Sequence, residues 1–155
     1  TGPPAPKKPF RTFESFFPFY LTEHSDMTNR RLHLVGTTFV LAICAYQPMV
    51  ALSILTAGSV GARVWHSFIP VLIDTASGYV LTGLFAGLEN GFLEFAILMG
   101  VFLGSAHHYM GRVKVAIMVP LIAYAFAWFG HFYFEKNKPA SFIYPTFSLM
   151  GDFVM

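Results

Sequence analysis

Val115-Ala-Ile-Met-Val-Pro-Leu-Ile-Ala-Tyr-Ala-Phe-Ala-Trp-Phe-Gly-His-Phe-Tyr-Phe134 runs for 20 residues without a formal charge. About 20 predominantly apolar residues, coiled as a helix, cross the ~30 Å hydrocarbon layer of a bilayer. Working outward, Leu32 to Ala62 is also free of charge, Val64 to Leu88 holds only Asp74, and Gly91 to Gly111 holds only Glu94. Short breaks separate these windows: Gly58-Ser-Val-Gly61 with Arg63, Glu89-Asn90-Gly91, and Gly111-Arg112. The pattern predicts an all-α integral membrane helical bundle with about four transmembrane helices, near 32–56, 64–88, 91–110 and 113–135. Asp74, Ser77 and Gly78 interrupt the second window. Read as a broken or interfacial helix, it lowers the count to three.

Composition points the same way. Of 155 residues, 55% are hydrophobic, 17% aromatic and 12% charged, with a mean hydropathy of +0.56. Soluble domains carry roughly 25% charged residues. A disordered chain, a secreted disulfide scaffold and an ordinary soluble enzyme domain are thereby excluded. The length fits one domain, here 10–155, behind a Pro-rich tail at 1–9. Cys44 is the one cysteine, so no intramolecular disulfide exists. Net charge is +2 and the basic residues form no long patch, which excludes a nucleic-acid surface. The sequence starts without Met. Its first residue is either a boundary of the piece or a mature end left by removal of a targeting peptide, and the latter points to an organelle. Phe10 to Leu21 packs six aromatic residues together, as expected of an interfacial segment or of a cluster resting on a partner subunit.

An even number of crossings returns both termini to one side. That side then carries Lys7, Lys8, Arg11, Arg30, Arg31, Lys136 and Lys138, against Arg63, Arg112 and Lys114 on the other. The positive-inside rule faces the termini toward the cytoplasm or the mitochondrial matrix. His24, His33 and His131 share that face, while His66, His107 and His108 fall on the opposite one, across some 30 Å of hydrocarbon.

In Glu23-His24-Ser25-Asp26-Met27-Thr28-Asn29-Arg30-Arg31-Leu32-His33, Thr28 or Asn29 is a plausible helix N-cap. A turn before it folds His24 back beside His33. Gly130-His131-Phe132-Tyr133-Phe134-Glu135 sets His131 and Glu135 four apart on one helical face. Three imidazoles and a carboxylate at a membrane surface can hold a divalent metal for non-haem iron oxygen chemistry or zinc hydrolysis. Each histidine can equally be an interfacial hydrogen-bonding residue.

Two segments together carry a resemblance. Phe19-Tyr20-Leu-Thr-Glu-His24 with Asn29-Arg-Arg-Leu-His33-Leu-Val-Gly36-Thr forms one half. Ala127-Trp-Phe-Gly130-His131-Phe-Tyr-Phe-Glu135-Lys-Asn-Lys-Pro139-Ala140, followed by Tyr144-Pro145-Thr-Phe-Ser148-Leu-Met-Gly-Asp152, forms the other. They resemble the membrane family of the fungal 2-hydroxy fatty acid (2-hydroxypalmitate) dioxygenase of phytosphingosine α-oxidation, a former domain of unknown function. The likeness covers 10–46 and 118–155. The intervening 47–117 reads as an inserted helical region.

The resemblance implies an Fe(II)-dependent dioxygenase that shortens a 2-hydroxy fatty acid by one carbon, with Zn as the other metal to consider. It implies His24, His33 and His131 as metal ligands, with Glu135 and Asn29 as candidate catalytic residues and Glu135 a further ligand or an outer acceptor. Partners are then the lipid bilayer and a fatty-acid substrate, in the endoplasmic reticulum or mitochondrial inner membrane. The competing expectation is a non-catalytic accessory subunit of an organellar complex. It would dock membrane subunits through 47–117 with Asp74, Glu89 and Glu94. Within that region Asp74 needs a partner such as Arg63 or His66, and Gly83, Gly87 and Gly91 at four-residue spacing favour close helix contact. His107-His108 with Tyr109 reads as an interfacial pair ending a helix, or as a contact for a lipid headgroup or quinone-like group.

Overall fold

A computed structural model describes residues 10–64 and 91–155. All regular structure among them is helical: α1 (Phe13–Thr22), α2 (Met27–Tyr46), α3 (Pro48–Arg63), α4 (Phe92–Met110), α5 (Lys114–Phe129) and α6 (Pro145–Val154). A π-helical turn, Gly130–Glu135, prolongs α5, and a 3₁₀ turn, Ala140–Phe142, precedes α6.

The first predicted span does not run straight. α2 ends at Tyr46, α3 begins at Pro48, and their axes bend by 119°. Pro48 has no N–H to continue the ladder and pushes the residue before it out of helical space; Gln47 sits at φ −133°, ψ 85°. Among the described residues one helix, Lys114–Glu135, is long and apolar enough to cross a membrane, or two if the bent α2–α3 pair counts as one span. The expectation of about four crossings is met only to that extent among the described residues. The predicted 64–88 helix, with His66, Asp74, Gly83 and Gly87, lies outside the described residues apart from Val64. So does Glu89.

The start of α2 also differs. Its N-cap is Asp26, not Thr28 or Asn29, and the Asp26 carboxylate accepts from the Thr28 N–H at 2.7 Å and the Asn29 N–H at 3.0 Å. A carboxylate satisfies two orphan donors and sits at the positive end of the helix dipole, which a hydroxyl or amide two or three residues later does not.

Two cores result. Val40, Val50, Ala57, Leu98, Phe102, Ala106, Ala116 and Val119 join α2 through α5. Phe16 and Tyr20 of α1 meet Ala140, Tyr144 and Phe147 in an aromatic second core. The aromatic N-terminal segment thus turns Phe16 and Tyr20 inward, onto α6, and neither onto an interface nor a partner. α2 and α5 run antiparallel: Asn29 lies against Gly130, and Gly36 against Phe126. This register brings the start of α2 to the end of α5. Gly91, at φ +67°, has no room for a Cβ, which would fall 2.6 Å from the Phe142 carbonyl oxygen. It therefore serves a backbone approach to the 140s loop, and not the helix–helix stripe read from its spacing. Glu94 is buried, its carboxylate accepting from the Thr146 N–H at 3.0 Å in the first turn of α6. It belongs to the interior of the fold, not to an outward docking face.

Candidate metal centre

Three elements deliver three imidazoles to one point. His24 follows α1 in the turn capped by Asp26, His33 lies two turns into α2, and His131 opens the π-helical turn. Their ring centroids are 4.6 Å (His24–His33), 4.6 Å (His24–His131) and 5.2 Å (His33–His131) apart. One nitrogen from each falls within 4.8 Å of the others, and all three side chains are buried. The pairing of His33 with His131, and the folding back of His24, agree with the sequence reading.

Hydrogen bonds fix which nitrogen faces inward. His24 Nδ1 meets the Tyr20 carbonyl at 2.7 Å, His33 Nδ1 meets Asp152 Oδ1 at 2.8 Å, and His131 Nδ1 meets Asn137 Oδ1 at 2.7 Å. Asn137 is itself oriented, because its Nδ2 donates to the Glu23 carbonyl and carboxylate at 3.1 and 3.0 Å. Its oxygen must then face His131. Every partner is an acceptor, so each Nδ1 carries the proton and each Nε2 keeps its lone pair. His24 Nε2 and His33 Nε2 are buried with no hydrogen-bond partner. Buried lone pairs left unsatisfied are uncommon, and an ion is one of the few things that explains them. Outer acceptors on ligating histidines are the usual support of metal sites. The donor set therefore fits a divalent ion.

Burial holds the His24 imidazole down to about 4, and its neighbours His33 and His131 push the same way against the bond to the Tyr20 carbonyl. The ring is neutral at pH 7, the form a metal needs. Burial, and then Asp152, push the Tyr20 phenol upward, so it stays protonated and donates to Asp152 Oδ1 at 2.5 Å. Asp152 thus takes two donors on one oxygen.

Glu135 stands elsewhere in the arrangement. Its carboxylate accepts from the Asp26 N–H at 2.9 and 3.0 Å and from the Ser25 hydroxyl at 3.3 Å. It clasps the turn that carries His24. Asn29 is fully buried with both amide atoms unpaired. It presses on Gly130, where a Cβ would come within 2.1 Å of its Oδ1. Sequence reasoning gave no role to Tyr20, Asn137 or Asp152. All three lie inside the segments that carry the resemblance, which is the signal that could have found them.

His24, His33, His131 and Asp152 also line one end of a cavity between the helices. Its remaining walls are mainly apolar: Val40, Ile54, Ala57, Leu98, Phe102 and Val119 among them. Twelve residues along α5 and the start of its π-helical turn separate His131 from Val119, about 18 Å at 1.5 Å per residue. Ile54, Ala57 and Leu98 come from the region between the two family-like halves, so that region builds a wall of the cavity. His107 and His108 end α4, some 13 residues, or about 20 Å of helix, beyond Glu94; His107 and His108 are not in the histidine group.

No curated protein and no solved structure matches the chain. A family model described as 2-hydroxy-palmitic acid dioxygenase Mpo1-like matches residues 10–155, both halves and the stretch between them. The chain is a member of the Mpo1-like 2-hydroxy-palmitic acid dioxygenase family.

Proposed function

We propose that the chain is an Fe(II)-dependent dioxygenase that shortens a 2-hydroxy fatty acid by one carbon. The observation that carries this reading is the placement of the buried imidazoles, two with orphaned Nε2 atoms, at the polar end of a long apolar cavity. His24, His33 and His131 would hold the ion through Nε2, and Fe(II), when bound, supplies oxygen activation. Three imidazoles also suit Zn(II), so the choice of iron rests on the family's chemistry.

The chain's own groups do the rest. The Tyr20 carbonyl, Asp152 and Asn137 keep the three rings in one tautomer and orientation. Glu135 holds the His24 turn in place, and Asn29, buried against Gly130, seats the π-helical turn that carries His131. The apolar walls take the alkyl chain and exclude water. A packing subunit without chemistry would have no use for unpaired imidazoles at the polar end of a cavity.

The outward faces of α2 and α5 carry exposed Leu34, Phe39, Leu41, Leu121 and Phe129, which supports a membrane setting. We place it in the endoplasmic reticulum or mitochondrial inner membrane, with bilayer lipid and fatty acid as partners. The test is incubation of the Fe(II)-loaded protein with 2-hydroxypalmitate, following oxygen uptake and the product's chain length. Oxygen consumption with a product one carbon shorter is expected. Neither, with protein that is folded and iron-loaded, overturns the reading.

A further inference from the structure

Hydroxyls inside a helix commonly bond back to the carbonyl four residues earlier. This chain follows the habit: Thr38 bonds to Leu34, Ser53 to Met49, Thr56 to Leu52 and Ser105 to Val101, at 2.6–2.8 Å. Ser53 is fully buried and satisfied in this way. Ser148 of α6 departs from it. It is 6% exposed, its backbone N–H bonds to the Tyr144 carbonyl, and its hydroxyl has no partner. Thr146 also has an unpaired hydroxyl, but it sits against Gly61 and does not line this cavity. Ser148 does line the cavity, one turn before Asp152 and on the same face of α6. It thus stands at the polar end, beside the acceptor that orients His33.

We infer that the Ser148 hydroxyl anchors the polar head of the acyl ligand, donating to a carboxylate oxygen of a 2-hydroxy acid. A small hydroxyl at this end of the wall leaves alkyl passage open while offering one directional donor. The anchor lies on α6, whereas the imidazoles come from α2, the π-helical turn and the loop after α1. A head held there is aligned from a second direction. The inference rests on the fatty-acid reading above.

The test compares the wild-type full chain with Ser148→Ala and Ser148→Thr. Affinity is measured on metal-free protein by displacement of a fluorescent fatty acid with 2-hydroxypalmitate, and each variant is melted. Loss of one hydrogen bond to a charged head weakens binding about tenfold or more. Ser148→Ala should show that loss with a melting temperature equal to or above wild type, because it removes an unsatisfied buried group. Ser148→Thr, which keeps the hydroxyl, should bind more tightly than Ser148→Ala. If wild type binds 2-hydroxypalmitate and Ser148→Ala binds it equally well, the anchor is refuted and the fatty-acid reading stands. A clear drop in melting temperature for Ser148→Ala refutes it too, by showing a structural role. If wild type does not bind 2-hydroxypalmitate, both fall.

Discussion

Replacing Asp152 separates the two duties of its Oδ1, which accepts the Tyr20 hydroxyl and the His33 Nδ1–H together. Asp152→Asn keeps the shape and can present a neutral oxygen to both donors. A hydrogen bond to a charged group contributes about 1.5–3 kcal/mol and a neutral one about 0.5–1.5 kcal/mol, so two bonds lose about 2–3 kcal/mol. The carboxylate is 26% exposed, which puts the loss at the lower end of that range through solvent screening. Asp152→Ala removes the acceptor and strands two buried donors, at about 1–3 kcal/mol each. His33 is then free to turn or change tautomer, and outer partners of this kind are worth about 10–100-fold in metal affinity. Titrating Co(II) or Zn(II) against a chromophoric chelator should show about tenfold weaker binding for Asn and about 100-fold for Ala. Tyr20→Phe should lower the melting temperature while leaving metal affinity near wild type. Asp152→Ala protein that binds metal as tightly as wild type would refute the assignment of His33's inward nitrogen.

Other expectations follow from the same geometry. Gly130→Ala drives a Cβ toward Asn29 Oδ1 and should destabilise by about 1–3 kcal/mol; adding Asn29→Ala should recover part of the loss in a double-mutant melt. His24 titrates near 6.5 when unfolded and about 4 when folded, so the unfolded state binds more protons between those values. Metal-free protein should therefore lose up to about 3 kcal/mol of stability as pH falls from 7 to 4, and His24→Gln should flatten that slope in thermal melts. His107→Ala and His108→Ala should leave metal affinity unchanged, because the end of α4 stands apart from the histidine group; a tenfold loss in the same chelator titration would contradict the ligand set.

Helices α4 and α5, and α2 with α3 as one run, were legible because uncharged apolar windows have few other ways to satisfy their backbone, whereas α1 and α6 lie outside those windows and were not read as helices. How many of them cross a membrane was not. Residues such as Leu98 and Phe102 look lipid-facing in a hydropathy window, yet they face a protein cavity. The Gln47-Pro48 break was written in the sequence, but a window defined by missing charge passes over proline. His24, His33 and His131 came from their motifs. Their supports did not, because His33 and Asp152 are 119 residues apart and Asp26 and Glu135 are 109 apart. Such pairs exist only once α1, α2, the π-helical turn and α6 have converged. Glu135, four residues from His131, read as a ligand or an outer acceptor, and its carboxylate accepts from the Asp26 N–H.

X-ray absorption at the iron edge, on chain purified and loaded with Fe(II), tests the central claim most directly. One iron per chain with three imidazole nitrogens is predicted, and Ala at His24, His33 or His131 should each remove one nitrogen or abolish binding. An iron-free protein, or a spectrum unchanged in all three variants, would contradict it.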